Sequence, residues 1–282
     1  MTVLNPRVDF AFKKLFGNEE NKDLLIDFIN AIVSKEDQIV DLMLLNPYNH
    51  KDYPADKLSI LDIKATDEHG RQYNIEMQLT DQVYYNQRVL YYWSKLYTSQ
   101  LQQGDQFPDL KKTISINILN FNYFDQEADY HNIFKILNVK SYRGYFEDLE
   151  LHFIELEKFD KDIQHLKTAL DRWANFLKRA HKYTREDLPA AMQGEPSIAK
   201  AFHVLETLYL TKDERDVYEA RLKWLRDEEA ALIKAHLDGK AEGISEGITQ
   251  ASRQIAKNLL LAGIDPELVE KMIKLQDSTG SE

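Results

Sequence analysis

The 282-residue chain contains no cysteine, which removes disulfides, zinc ribbons, thiolate clusters and a cysteine nucleophile from consideration. No apolar run is long enough to span a bilayer, and the amino terminus has no basic-then-apolar export segment. A cytoplasmic protein with no membrane attachment is the expectation. The eight histidines are scattered, with no H-E-x-x-H pair at helical spacing. A G-x-S-x-G elbow, a P-loop and a dinucleotide glycine fingerprint are also missing. Zinc and serine hydrolase chemistry are therefore set aside, and His69 is read as an exposed turn residue.

What is present is ordinary globular material: 43% hydrophobic and 29% charged residues, enough for one large or two small domains. The net charge of −11 opposes a general affinity for nucleic acid, whose binders rely on phosphate neutralisation. Any such binding must either concentrate positive charge locally or be weak and rely on metal ions at the site. One stretch does the former: Gln82 to Gly104 carries no Asp or Glu. Within it Tyr84, Arg88, Tyr91, Tyr92 and Lys95 recur at steps of three and four, placing aromatics and both basic residues on one helix face. Val89, Trp93 and Leu96 are its core side.

The most informative stretch is KLSILDIKATDEHGRQYNIEMQL, starting at Lys57. Two alternating runs flank a polar turn, Asp67-Glu68-His69-Gly70, the pattern of a β-hairpin. In the second run Tyr73, Ile75, Met77 and Leu79 take one face, and Gln72, Asn74, Glu76 and Gln78 the other. In the first run Leu61, Ile63 and Ala65 oppose Ile60, Asp62 and Lys64. Pairing Thr66 with Gln72 sets Asp62 directly across from Glu76. Like charges opposite each other on a sheet destabilise it unless neutralised, and a divalent cation with oxygen ligands is the simplest neutraliser.

The remaining elements follow in order. Asn5-Pro6 opens a helix carrying Phe10, Phe12, Leu15 and Phe16 and stopped by Gly17, and a second helix starts near Asn21. Asp9 and Lys13, four apart, read either as a surface ion pair or as site residues. Gln38–Leu45 reads as a strand and Pro47–Pro54 as a polar loop. Lys111–Phe121 and Leu151–Phe159 read as strands, with a less certain one over Tyr130–Lys140. The order implies an α/β (mixed α+β) fold, a mixed central sheet flanked by helices. From Ile163 the chain turns helical, with a loop at Leu188–Pro196 and helices resuming near Ser197 and Lys212. Gly239, Gly243 and Gly247 recur every four residues, either in a flexible linker or where helices approach closely. Gly263 and Asp265-Pro266 mark a stop and a new helix start. The expected divisions are 1–160 for the core, 161–235 for a helical extension and 236–282 for a helical tail.

Asp62 followed by Glu76-Met77-Gln78 resembles the active-site motif of the PD-(D/E)XK nuclease superfamily, with Gln78 where a lysine usually stands. Together with NPRVDFAFKKLFG at the amino end and the later RVLYYWSKLY, the chain resembles the recombination-promoting nuclease/transposase (Rpn) family over most of its length. The resemblance implies a restriction-endonuclease-like core followed by an all-helical C-terminal region. It implies a Mg²⁺-dependent DNA endonuclease, with Mn²⁺ as a possible substitute. Asp62, Glu76 and the Met77 carbonyl would hold the metal, Gln78 would position water or phosphate, and Asp9 would help hold a second ion. Lys13, Lys14, Gln87 and Arg88 would contact DNA. The alternative is a nuclease-fold protein that binds nucleic acid or a partner without cutting. Self-association through the C-terminal helices is expected in either case.

Overall fold

The computed structural model describes residues 3–45, 62–81, 83–184, 187–208, 210–261 and 265–268. The expected loop at Pro47–Pro54 and the first half of the hairpin's first run, Leu58 to Leu61, lie outside them. Two compact units divide at residue 222, the first covering 1–222 and the second 223–282.

Among the described residues six strands form one sheet: β1 (Leu42–Leu45), β2 (Ile63–Asp67), β3 (Gln72–Gln78), β4 (Thr113–Leu119), β5 (His131–Leu137) and β6 (Gly144–Glu155). Their spatial order is β1-β2-β3-β4-β6-β5. The β3/β4 and β4/β6 pairs are parallel and the other three are antiparallel, so the sheet is mixed. The hairpin forms in the expected register, Thr66 across from Gln72 and Ile63 across from Ile75. Its turn is built by Asp67, whose Oδ1 accepts the amides of His69 and Arg71 at 2.9 Å each. Gly70 supplies the one left-handed position there, with φ 81°.

Helix α1 (Asp9–Phe16) starts later than Asn5-Pro6 suggests. The Asn5 side chain accepts the Arg7 amide and its carbonyl accepts the Val8 amide, so Pro6 sits in a turn ahead of the helix. Gly17 ends it as expected. Helix α2 (Lys22–Ile32) follows, and α3 (Tyr85–Thr98) makes the crossover that the parallel pair β3/β4 requires. Helix α4 (Ala169–Arg179) begins six residues after Ile163, because Thr168 and Asp171 form a reciprocal capping box at Thr168. The Leu188–Pro196 loop contains one helical turn, α5 (Ala190–Gln193), with Pro189 at its N-cap. Helix α6 (Pro196–Thr207) follows, then α7 (Lys212–Leu261), which carries Gly239, Gly243 and Gly247 in unbroken helix. Asp265 caps the last described turn, its Oδ1 accepting the Glu267 amide at 2.7 Å. No described helix is long and apolar enough to cross a membrane.

In the first unit, helices α1, α2, α4 and α6 pack together, and α1 also meets β3. Phe12, Phe16, Phe28, Trp173 and Phe176 form a continuous ring cluster among these helices. Trp173 satisfies its indole N–H on Asp27 at 2.7 Å. One face of the sheet is aliphatic, with Ile63, Ala65, Ile75, Ile114, Ile116 and Ile118 all buried. Toward one end of this face lies a network of Asp37, Asp67 and Glu150 with Arg71, Lys112 and Lys135, three charges of each sign. Glu150 Oε2 ion-pairs with both lysines, at 2.7 and 2.8 Å, and its Oε1 meets His152 Nε2 at 2.7 Å. These polar partners outweigh its burial and hold its carboxyl well below the usual range. Removing one member of a buried ion network leaves uncompensated charge. Glu150→Ala is therefore expected to cost about 3 kcal/mol in urea unfolding, and Lys135→Ala, whose ammonium is more open, less than about 1 kcal/mol.

Candidate functional site

The opposite sheet face carries an unusual run of polar residues. The register puts Lys64, Asn74 and Ser115 side by side across β2, β3 and β4, with Glu76 beside Asn117 one step further along. Asn74, Ser115 and Asn117 are 0–1% exposed and Glu76 is 6% exposed. Helix α3 closes over this face with Tyr85 and Val89, which join Leu119, Leu151 and Phe153 in an apolar cluster. The Tyr85 hydroxyl reaches Asn117 Oδ1 at 3.3 Å, so the polar floor is tied to the helix above it. Asn117 in turn donates to Ser115 and to the His152 carbonyl.

Asp62, one residue before β2, is fixed by two contacts: its Oδ2 accepts the Met77 amide at 2.9 Å and its Oδ1 meets Lys13 Nζ at 3.0 Å. The hairpin therefore brings Asp62 and the Glu76-Met77 segment together. Lys13 pairs with this aspartate and not with Asp9, although Asp9 lies one helical turn away. Burial, and then the charge of Asp62, push the Glu76 carboxyl up to about 7, against the opposing influence of Arg88, the Asn74 amide and Lys13. Asn74 donates to Glu76 at 3.3 Å, while its own Oδ1 is buried with no hydrogen-bond partner among the described residues. That leaves an unused oxygen acceptor beside the Glu76 carboxylate.

Arg88 lies over the rings of Tyr85 and Tyr92 at 5.1 and 5.9 Å, and its Nη2 donates to Gln78 Oε1 at 2.5 Å. Gln78 Nε2 donates to the Thr80 carbonyl at 3.0 Å, so both ends of this amide are engaged. Gln87 is exposed on α3. Lys14 is committed elsewhere, to Glu214 at 2.7 Å. Asp9 begins α1 and accepts the Phe10 amide at 2.9 Å, and among the described residues it makes no ion pair with Lys13. The structure thus brings Lys13, Asp62, Glu76, Gln78 and Arg88 into one contiguous set. Among the described residues, Asp9, Lys14 and Gln87 make no hydrogen bond or ion pair with that set.

Sequence reasoning passed over Asn117 and Tyr85. The signal was the alternation of Thr113, Ser115 and Asn117 in an otherwise aliphatic strand, which marks a polar face on a buried element.

The profile of the PD-(D/E)XK nuclease family transposases matches residues 6–235. The chain belongs to this family. No curated protein and no solved structure gives a significant match. The family is a nuclease family, and its matched span includes Asp62, Glu76 and Arg88 together with α1, where Lys13 lies.

The raised Glu76 pKa has a consequence for stability. Between about pH 4.5 and 7 the unfolded chain has lost the Glu76 proton while the folded protein keeps it. This group therefore removes stability as pH rises through that window, and the loss is complete above it. Glu76→Gln is expected to stabilise the metal-free protein by up to about 3 kcal/mol at pH 8 and by little at pH 4, measured by urea unfolding at both pH values.

Proposed function

We propose that this family member is a divalent-cation-dependent DNA endonuclease. The observation that carries the reading is the Asp62–Glu76 pair, one carboxylate buried and held near neutral pKa by its own burial and by the other's charge. The chemistry of the donor set fits Mg²⁺, a hard cation that takes oxygen ligands. Asp62, Glu76 and the Met77 carbonyl would hold the ion, with the unpartnered Asn74 Oδ1 as a further oxygen. Asp9 is assigned to a second ion. When bound, the cation polarises the scissile phosphodiester and activates the attacking water, and Mn²⁺ can take the same place.

The protein's own groups supply the rest. Glu76, half-ionised near neutrality, gives up its proton when a positive charge arrives beside it. Gln78 is neutral and cannot be the cation that a lysine would be, and its engaged amide suits it to positioning Arg88. Arg88 provides the planar guanidinium for a phosphate oxygen, backed by Tyr85 and Tyr92. Lys13 serves as the charge partner of Asp62 and turns to the DNA backbone when the substrate is present. Lys14 and Gln87 flank the path of the backbone. The segment Gln82–Gly104, free of acidic residues, is the locally positive surface that a protein of net charge −11 needs to hold DNA. The long helix α7 is assigned to self-association. Its exposed Ile233, Leu237, Ile244, Ile248 and Ile255 fall at alternating steps of four and seven residues, on one helix face.

A second reading, binding without cutting, is favoured by the neutral Gln78 and the acidic balance. Nicking of supercoiled plasmid with Mg²⁺, Mn²⁺ or EDTA separates the two. The nuclease reading expects metal-dependent nicking that Asp62→Asn and Glu76→Gln each abolish. Arg88→Ala is expected to slow it about 10²–10³-fold, with no rescue by Arg88→Lys. Nicking that survives both carboxylate substitutions would contradict the assignment. No nicking with any metal, together with retained DNA binding, would establish the second reading.

A further inference from the structure

The β5–β6 ribbon leaves large apolar side chains uncovered. Strand β4 pairs only with Leu149–Glu155 of β6, so the first five residues of β6 have β5 alone beside them. The sheet order makes β5 an edge strand. The turn joining the two strands is well built. Asn138 Oδ1 accepts the amides of Lys140 and Ser141 at 3.0 Å, and the Tyr142 amide returns to the Asn138 carbonyl at 2.8 Å. An ordered ribbon of this kind is expected to hide its apolar side chains, yet Ile133, Phe134, Ile136, Leu137, Tyr145 and Phe146 are 39–69% exposed. At roughly 200 Å² per fully exposed large side chain, these six present on the order of 600 Å². Neighbours along a strand point to opposite faces, so this area is shared between both sides of the ribbon, where an added edge strand would cover part of each.

The edge also lacks the usual protection against pairing. No proline falls between His131 and Phe146. The one lysine within β5, Lys135, turns its ammonium onto Glu150. The register irregularity at Lys135–Leu137 leaves His131–Lys135 as a regular stretch with one free side.

We propose that β5 pairs antiparallel with β5 of a second copy of this chain about a two-fold axis near Ile133 and Phe134, joining two sheets into one. The charges select this occupant. The ribbon's tip is basic, with exposed Lys140 and Arg143, and the lead-in to β5 is acidic, with exposed Asp125, Glu127 and Asp129. A two-fold axis at the middle of the strand lays the tip of each copy along the lead-in of the other, so both ends of the interface are attractive and the surface is self-complementary. This interface is separate from α7 and does not depend on the nuclease reading.

The absence of acidic residues at the tip and of basic ones in the lead-in makes a reciprocal charge test possible. The full-length chain is examined by sedimentation velocity as wild type, as Lys140→Glu/Arg143→Glu and as Glu127→Lys/Asp129→Lys, with circular dichroism to confirm folding. Each reversed protein alone is expected to dissociate at least about tenfold more readily than wild type, since like charges then meet at both ends. An equimolar mixture of the two is expected to regain the wild-type association, because every charged contact in the mixed pair is again opposite. An Ile133→Lys/Leu137→Lys protein is expected to lose the interface and not to regain it on mixing. A reversed protein that associates as wild type, or a mixture that stays as weak as its components, would overturn the proposal. So would variants whose mass is unchanged while plasmid binding falls, which would make the ribbon a DNA contact.

Discussion

Two carboxylates, one at the entry to β2 and the other buried on β3, impose a repulsion that the surrounding residues must absorb. Asp62 is calmed by Lys13 and by the Met77 amide. Glu76 has weaker help, from the Asn74 amide and from the more distant influence of Arg88 and Lys13, and its proton is retained to about pH 7 as a result. An aliphatic residue in place of Glu76 would fit the sheet with less penalty. The buried polar floor of Asn74, Ser115 and Asn117, with Tyr85 fastened to it from above, is the scaffold that keeps this unfavourable pair in place. Strain of this electrostatic kind, concentrated at one spot of an otherwise aliphatic sheet, is how a site announces itself physically.

The geometry also explains how a neutral glutamine can occupy the motif's lysine position. Gln78 reaches Arg88, one residue of the next helix, and that contact sets a guanidinium beside the carboxylates. Two aromatic rings support this helix cation, and its charge acts on the Glu76 carboxyl.

Much of this was legible in the sequence, for definite reasons. The hairpin could be read because its period-two alternation brackets a four-residue polar turn, and the turn length fixes the register that sets Asp62 near Glu76. The helix face bearing Arg88 could be read from spacing alone. Contacts between distant segments could not. Lys13 has Asp9 four residues away and chooses Asp62, and Lys14 chooses Glu214, two hundred residues on. Local spacing ranks the near partner first, and tertiary packing overrides it. Asn117 escaped notice because the alternating Thr113, Ser115 and Asn117 look like the solvent side of a strand, whereas here both sheet faces are covered. The exposed apolar start of β6 escaped because Tyr145-Phe146 and Glu147-Asp148 come as adjacent pairs, without the period-two alternation that marks a strand.

A cation site at the Asp62–Glu76 pair would exchange a proton for an ion. Calorimetric titration of the protein with Mn²⁺ at pH 6.5, in two buffers of different ionisation enthalpy, measures this directly. With a Glu76 pKa of about 7, binding should release roughly three-quarters of a proton per ion, and Glu76→Gln should lose both the release and most of the affinity. Binding that releases no proton, or that Glu76→Gln leaves unchanged, would contradict the central claim.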